Sequence, residues 1–220
     1  MAIPKVIYQT YKTKNIPWYA RFYIWRFRRN NRDFQYEFYD DERIDAFIKD
    51  NFSANTYKAF SRLQIGAAKA DFFRYAILYK KGGIYLDIDS DILVDLNTFI
   101  RPDDEAIIAK EKTNKTLYAQ WALFYTKEHP FLKTALHIMI HNIQHNKHPY
   151  NVHLTTGPGI YSEAVFRCLK NKDIRFRMVE DNYKGILKFK YLPARIFMSD
   201  LNPNHWRKQQ QKMPVFVPEE

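Results

Sequence analysis

ADFFRYAILYKKGGIYLDIDSD, residues 70–91, holds the transition on which the fold of this chain turns. Its first half places Phe72, Phe73, Ala76, Ile77 and Leu78 behind Ile65 and Ala68, so a helix over 65–80 would be apolar almost all round and buried on more than one side. Gly82 and Gly83 end that helix. GIYLDID then alternates like a strand, with Ile84, Leu86 and Ile88 on one face and Tyr85, Asp87 and Asp89 on the other. Helix, glycine turn and buried strand in succession predict an α/β sheet, in which ligands bind in the crevice beyond the carboxyl ends of the strands.

Asp87, Asp89 and Asp91 repel one another unless something positive holds them. Magnesium and manganese prefer carboxylate oxygen and take one or two protein carboxylates, leaving positions for phosphate oxygens and water. Asp87 and Asp89 therefore suit a metal–diphosphate complex. A calcium loop starting at Asp87 would need glycine at its sixth position and glutamate at its twelfth; Ile92 and Thr98 stand there and exclude it. A HAD-like phosphatase, with Asp87 attacking and Asp89 as acid, uses the same letters and stays open, as do acids that merely solvate a turn. In the preceding helix Asp71 and Arg74 share a face; they either pair with each other or hydrogen-bond a polyhydroxylated ligand in a cavity.

Outward from this stretch, KVIYQ (5–9) and FQYEFY (34–39) read as strands, each followed by a helix, over 18–29 and over DERIDAFIKDNF. EAIIAK (105–110) and TLYAQWALFY (116–125) read as strands and HPFLKTALHIMIHNI (129–143) as a helix. TTGPGIYSEAVFRCL is a turn entering a helix through Pro158, and IRFRMV and ILKFKYL complete the strands. The interleaving predicts an α/β fold with a mostly parallel sheet. Hydrophobic residues make up 46% of the 220, and no Gly/Pro/Ser-rich linker divides them, so residues 1–220 read as one domain.

A single cysteine, Cys168, excludes an internal disulfide, and no apolar stretch approaches the roughly 20 residues that cross a bilayer. The opening MAIPKVIYQ has no charged-then-apolar leader layout, and a cytoplasmic location is the expectation. The net charge of +11 attracts anions without selecting among them. Its densest cluster is WYARFYIWRFRRNNR, residues 18–32, where five arginines alternate with aromatics. That segment reads as an amphipathic helix half sunk in the core, or as a contact with an anionic acceptor or with the cytoplasmic membrane face. A nucleic-acid-binding protein would explain the charge but leave the acidic strand end unexplained; no nucleic-acid partner is expected. His141, His145 and His148 include an i, i+4 pair, yet no cysteine or acid completes a zinc site, and they read as surface histidines.

ADFFRYAILYKKGGIYLDIDSD resembles the signature of the DXD-containing glycosyltransferases of glycosyltransferase family 32. That family includes yeast initiating mannosyltransferases, bacterial capsular polysaccharide transferases and, more distantly, the glucosylating domains of clostridial toxins. Four further blocks resemble it in order: IPKVIYQTYKT at the start, DFQYEFYDDERIDAFIKDNF, EHPFL and TTGPGIYSEAV, which together extend from residue 3 to about residue 166.

The resemblance implies the GT-A fold, with a Rossmann-like central sheet flanked by helices, a nucleotide-sugar donor and a manganese or magnesium ion. Asp89 would ligate the metal directly, and Asp87 would contact it through water or meet the ribose. Asp71 and Arg74 would bind donor-sugar hydroxyls. Tyr8, Gln9, Thr10 and Tyr11 would line the base pocket, although the family has His and Trp where Tyr8 and Tyr11 stand. NPNHWRKQQQ replaces a His-rich stretch ending in Ser-Trp; His205 is a candidate third metal ligand or an exposed loop histidine, Trp206 a lid over the phosphates that also stands on the acceptor side, and Arg207 or Lys208 a phosphate contact. Gly157, Pro158 and Gly159 form an acceptor-side wall or only a turn. Transfer with retention is implied, from a UDP-sugar in preference to a GDP-sugar, onto an oligosaccharide, polysaccharide, lipid-linked or glycoprotein glycan, by a minimal catalytic domain that could be excised from a longer protein.

Overall fold

In the computed structural model, which describes residues 2–192, 194 and 205–218, strand and helix alternate from the start. β1 (Val6–Thr10), α1 (Trp18–Asn30), β2 (Gln35–Tyr39), α2 (Asp41–Asn51), α3 (Ala54–Ser61), α4 (Gly66–Lys81) and β3 (Gly83–Leu86) lead to the acidic turn. β4 (Asp91–Ile92), α5 (Leu96–Phe99), β5 (Ala106–Ala109), β6 (Ala122–Tyr125), α6 (Pro130–Gln144), α7 (Val152–Thr155), α8 (Pro158–Cys168), β7 (Arg177–Val179), β8 (Leu187–Lys188) and α9 (Trp206–Gln209) follow. The main sheet has the order β2-β1-β3-β6-β5-β7 and is parallel except for β6, which runs antiparallel to both neighbours. β4 and β8 pair separately. This is the expected α/β architecture.

Strand alternation splits the core in two. Tyr8, Tyr85, Leu123, Tyr125 and Ile108 pack on the side of α2, α3, α4, α6 and α8, while Ile7, Ile84, Leu86, Phe124 and Ile107 pack with α1 and α5. Helix α4 is apolar on nearly every side because it lies inside the first cluster, with Phe72, Phe73, Tyr75, Ala76, Ile77 and Leu78 fully buried. The turn from α4 to β3 has φ 66° at Gly82 and 109° at Gly83. A Cβ on Gly82 would lie 2.8 Å from the Lys127 nitrogen, and one on Gly83 2.9 Å from the Tyr8 ring and from the Val6 carbonyl. Only glycine lets β3 leave α4 and lie directly against β1.

Three strand expectations need correction, one being ILKFKYL (186–192), which is a strand only over Leu187–Lys188. GIYLDID does not stay extended to Asp89: β3 ends at Leu86, the Asp87 nitrogen donates to the Trp121 carbonyl (2.8 Å), and the Ser90 nitrogen closes a turn on the Asp87 carbonyl (3.0 Å). Asp87 and Asp89 are therefore set by a turn, not by strand alternation. TLYAQWALFY is a strand only over Ala122–Tyr125. In its first half the Tyr118 nitrogen donates to the Ser162 hydroxyl (2.8 Å), and the Gln120 carbonyl accepts from Arg74 (2.9 Å). The 117–119 backbone still pairs with 109–111, the Ala119 nitrogen donating to the Ala109 carbonyl (2.8 Å) beside an isolated Lys110–Tyr118 bridge, and the ladder breaks between that bridge and Ala122. Helices α3, α5, α7 and α9 are absent from the sequence reading; α3 is capped by Ser53, whose hydroxyl accepts from the Thr56 nitrogen.

Candidate active site

Arg74 sits at the centre of the site, on the sheet-facing side of α4. It is 5% exposed, and its Nη2 lies 3.2 Å from Asp71 Oδ1 and 3.1 Å from Asp87 Oδ1. Nη1 donates to the Gln120 carbonyl, and the guanidinium lies 4.8 Å from the centre of the Tyr85 ring. Asp71 and Arg74 do pair, as helical spacing allows, but the pair extends across to the turn after β3. Asp71 also accepts from Gln120 Nε2 (3.0 Å) and from the Thr156 hydroxyl (3.0 Å), and Tyr75 donates to the Gln120 side-chain carbonyl. Asp87 accepts from the Tyr85 hydroxyl (3.1 Å).

The three acids of the opening stretch are thus sorted. Asp87 is held by Arg74. Asp91, fully buried at the start of β4, is ion-paired with Arg26 of α1 and fastens that helix to the acidic turn. Asp89 is half-buried, and no ion pair or side-chain hydrogen bond from another described residue reaches its carboxylate; Lys190 is a nearby cation. Burial and the charge of Asp87 push the Asp89 carboxyl up to about 7, against the pull of Lys190. Burial likewise raises Asp71 to about 7, opposed by Arg74 and reinforced by Asp87, and raises Asp87 against Arg74 and the Tyr85 hydrogen bond. Among the described residues, Arg74 and the nearby Lys190 face the carboxylates of Asp71, Asp87 and Asp89, an excess of negative charge that a divalent cation would relieve. Asp87 and Asp89 supply hard oxygen donors for one.

Gln9, at the end of β1, donates to the Asp87 carbonyl (3.2 Å) and accepts from the Tyr36 hydroxyl (3.1 Å), which ties the first strand to the turn. Thr10 is buried, and the Tyr11 nitrogen donates to the Tyr39 carbonyl (3.2 Å). Tyr8 departs from the base-stacking expectation: its ring, 2% exposed, is core, packed beside Tyr39 and under Gly83.

Gly157 caps α8, with Pro158 in its first turn. A Cβ on Gly157 would lie 2.9 Å from the His153 Cα, and one on Gly159 2.9 Å from the His153 carbonyl, so these glycines let α8 pack against α7. Thr156, immediately before them, reaches Asp71. His205 caps α9, its Nδ1 accepting from the Arg207 nitrogen (3.4 Å). Trp206 lies against His153, with ring centres 5.2 Å apart. Among the described residues no three His, Cys, Asp or Glu side chains come together as a metal cluster, so His205 is not gathered with Asp87 and Asp89. The same holds for His141, His145 and His148; the first two lie tilted against each other with ring centres 4.1 Å apart. Gln120 and Thr156, the hydrogen-bonding partners of Asp71, were not singled out from sequence. A glutamine inside the apolar run TLYAQWALFY and the threonine heading TGPG were the available signals.

Residues 17–114 match the family described as a glycosyltransferase sugar-binding region containing a DXD motif, a span that includes Asp71, Arg74, Asp87 and Asp89. An uncharacterized glycosyltransferase of Acanthamoeba polyphaga mimivirus is 30% identical over 171 residues, covering 77% of this chain and 67% of the relative. The chain belongs to this family of glycosyltransferases. Two relatives from Schizosaccharomyces pombe carry more specific names. An initiation-specific alpha-1,6-mannosyltransferase is 28% identical, covering 76% of this chain, and an inositol phosphoceramide mannosyltransferase is 33% identical, covering 71%. The chain spans about half the length of these two relatives, 49% of each. Among solved structures, PaToxG glycosyltransferase superposes with a TM-score of 0.63 over 100% of this chain and 82% of its own, at 17% identity. The UDP-bound glycosyltransferase domain of the YGT toxin superposes with a TM-score of 0.56 over 99% of this chain and 92% of its own, at 9% identity. These likenesses establish the GT-A fold. The phosphatase alternative loses its ground, because the Asp-x-Asp motif lies within a glycosyltransferase domain.

Proposed function

We propose that this glycosyltransferase moves a hexosyl group from a nucleoside-diphosphate sugar to a glycan acceptor, with retention of anomeric configuration and with a manganese or magnesium ion held at Asp89. The observation that carries this is the unequal treatment of the three acids: Arg74 neutralises Asp87, Arg26 neutralises Asp91, and Asp89, near Lys190, has no ion pair among the described residues. Asp89 would ligate the ion directly, while Asp87, fixed by Arg74 and Tyr85, would meet it through water or bind the ribose. When bound, such an ion supplies neutralising charge for the diphosphate.

This chain's residues do the positioning. Gln120 and Thr156 hold Asp71, Asp71 and Asp87 hold Arg74 between them, and this cluster offers its polar groups to the donor hydroxyls. Gln9 and Tyr11, at the end of β1, stand on the base side; Tyr8 supports that end from within the core. In the reaction the bond from the anomeric carbon to the diphosphate oxygen breaks, the acceptor oxygen bonds from the same face, and the acceptor proton passes to the departing phosphate. Gly157, Pro158, Gly159 and Trp206 stand on the acceptor side in this reading, Arg207 and Lys208 toward the phosphates, and His205 serves α9 in place of the metal.

Both named S. pombe relatives are mannosyltransferases, which makes mannose the leading transferred sugar. The uridine preference expected from sequence is the alternative, and UDP in the YGT toxin domain keeps it in the test. Incubation with GDP-mannose, UDP-glucose and UDP-N-acetylglucosamine, each with manganese and a glycan acceptor mixture, should give metal-dependent transfer from one donor, with the product anomer read by NMR. Transfer from none of them, by protein that is folded and binds metal, would defeat the proposal.

A further inference from the structure

We propose that α1 is a membrane-docking helix that seats the acidic turn against an anionic phospholipid surface. Trp18, Phe22 and Trp25 fall on one stripe of α1 at spacings of four and three residues. They are 76%, 52% and 56% exposed, an unusual row of large apolar groups to leave in water. Arg29 continues the stripe and lies over the Trp25 ring at 5.7 Å. Arg21 and Arg28 flank it, and with Arg29, Arg32, Trp25, Phe34 and Tyr36 they line an open groove of about 830 Å³.

The charge is one-sided. From Tyr11 to Arg32 the chain carries Lys12, Lys14, Arg21, Arg26, Arg28, Arg29 and Arg32 and no acidic residue. Arg26 is taken by Asp91 and Lys14 reaches Asp40 and Glu42, whereas Arg21, Arg28, Arg29 and Arg32 pair with no carboxylate among the described residues. Exposed tryptophan and phenylalanine beside a crowd of arginines, on a helix whose other side is anchored in protein, match what an anionic interface holds: rings at headgroup depth, guanidinium groups on phosphates. No helix among the described residues is long and apolar enough to cross a membrane, so this would be attachment to a surface.

The buried side of α1 explains what docking would achieve. Tyr23 stacks on Tyr191 at 3.9 Å, the Tyr191 nitrogen donates to the Asp89 carbonyl (3.1 Å), and Arg26 holds Asp91. The helix that would meet the lipid is thus clamped to the acidic turn, and a bilayer against its outer face would bring lipid-borne acceptors within reach of the donor site. That last step rests on the proposed transfer; the docking itself does not, and it is tested without donor.

The experiment is co-sedimentation of the full chain with phosphatidylcholine vesicles, with and without phosphatidylserine, at low and high salt. The variants are W18S/F22S/W25S and R21Q/R28Q/R29Q, all at exposed positions, with thermal unfolding to confirm that both remain folded. The parent should sediment with the phosphatidylserine vesicles and be released by salt. Three arginines, at roughly fivefold each, should account for a loss on the order of 100-fold in partitioning, and the aromatic triple should also lose binding. A blue shift of tryptophan emission on binding should disappear in the aromatic variant. The proposal is overturned if the parent stays in solution, if either variant binds as the parent does, if single-stranded RNA displaces the parent from vesicles at stoichiometric amounts, or if Trp18 and Trp25 prove to be covered by self-association.

Discussion

Replacing Arg74 by Met removes the one cation that Asp71 and Asp87 share while keeping a side chain of similar length in a 5%-exposed position. Breaking a buried ion pair by removing one partner costs about 3–5 kcal/mol, because the other charge is stranded. Here two carboxylates are stranded, and the Gln120 carbonyl loses a donor worth about 1 kcal/mol. Asp87 can recover some hydration, since its side chain is 24% exposed, so the total should be about 4 kcal/mol. For a chain of this size that lowers Tm by roughly 8–16 °C. The pH dependence has a definite sign. Burial already raises Asp71 and Asp87, and Arg74 is the main influence opposing it; without Arg74 both are raised further. Carboxyls with a raised folded-state pKa favour the native state at low pH, and that stability is lost as pH rises from the ordinary carboxylate range through the folded value. The deficit of the Arg74→Met variant should therefore be large at pH 7, shrink by pH 5, and be partly recovered in an Arg74→Met/Asp71→Asn double variant. Urea denaturation with parallel calorimetry at the two pH values reads this directly. A deficit below about 1 kcal/mol, or one equal at pH 5 and pH 7, would refute the reasoning.

Three further outcomes follow from the same geometry. With Asp89 raised to about 7, manganese and nucleotide binding at neutral pH should release protons; calorimetry in buffers of different ionisation heat measures this, and no release would mean that the acids are already ionised. Gly83→Ala forces a Cβ to 2.9 Å from the Tyr8 ring and the Val6 carbonyl at φ 109°, and should cost about 3 kcal/mol in chemical denaturation; a loss below 1 kcal/mol would show that the α4–β3 turn relaxes freely. Asp91→Asn should destabilise by about 2 kcal/mol, because Arg26 loses its partner, yet keep metal-dependent nucleotide binding; loss of that binding in a folded variant would undo the division of labour among the three acids.

Much of the architecture was legible because its signals are local. The apolar surround of α4, the glycines that stop it, and Pro158 at the head of α8 mark their own boundaries, and these two helices begin and end within a residue or two of expectation, whereas α3, α5, α7 and α9 carry no such signal. The site was legible as a set of acids and one arginine, but not as a circuit. That Arg74 reaches Asp87 as well as Asp71 depends on β3 lying beside α4 in space, and that Gln120 and Thr156 complete Asp71 depends on contacts 49 and 85 residues apart in sequence. Tyr8 misled because an aromatic residue at a strand end can face either the core or a ligand, and β1 turns it inward against Gly83. The strand readings over 83–89 and 116–125 overran where the backbone turns to the site: the ladder bond from the Asp87 nitrogen to the Trp121 carbonyl is followed at once by the Asp87–Ser90 turn, and the Gln120 carbonyl accepts from Arg74 between the bridge at Tyr118 and the strand from Ala122.

The account rests on Asp89, the one of the three acids without an ion pair among the described residues, taking a metal on which a nucleotide diphosphate depends. Thermal unfolding of the parent and of Asp89→Asn, with GDP-mannose and the UDP-sugars, each with and without manganese, tests it most directly. At about 100 times its Kd a ligand adds roughly 2.7 kcal/mol, which should raise the Tm of a chain this size by roughly 5–10 °C. The account predicts that shift for the parent only when metal and one nucleotide family are both present, and none for Asp89→Asn. An equal shift in the two proteins, or one that needs no metal, would contradict it.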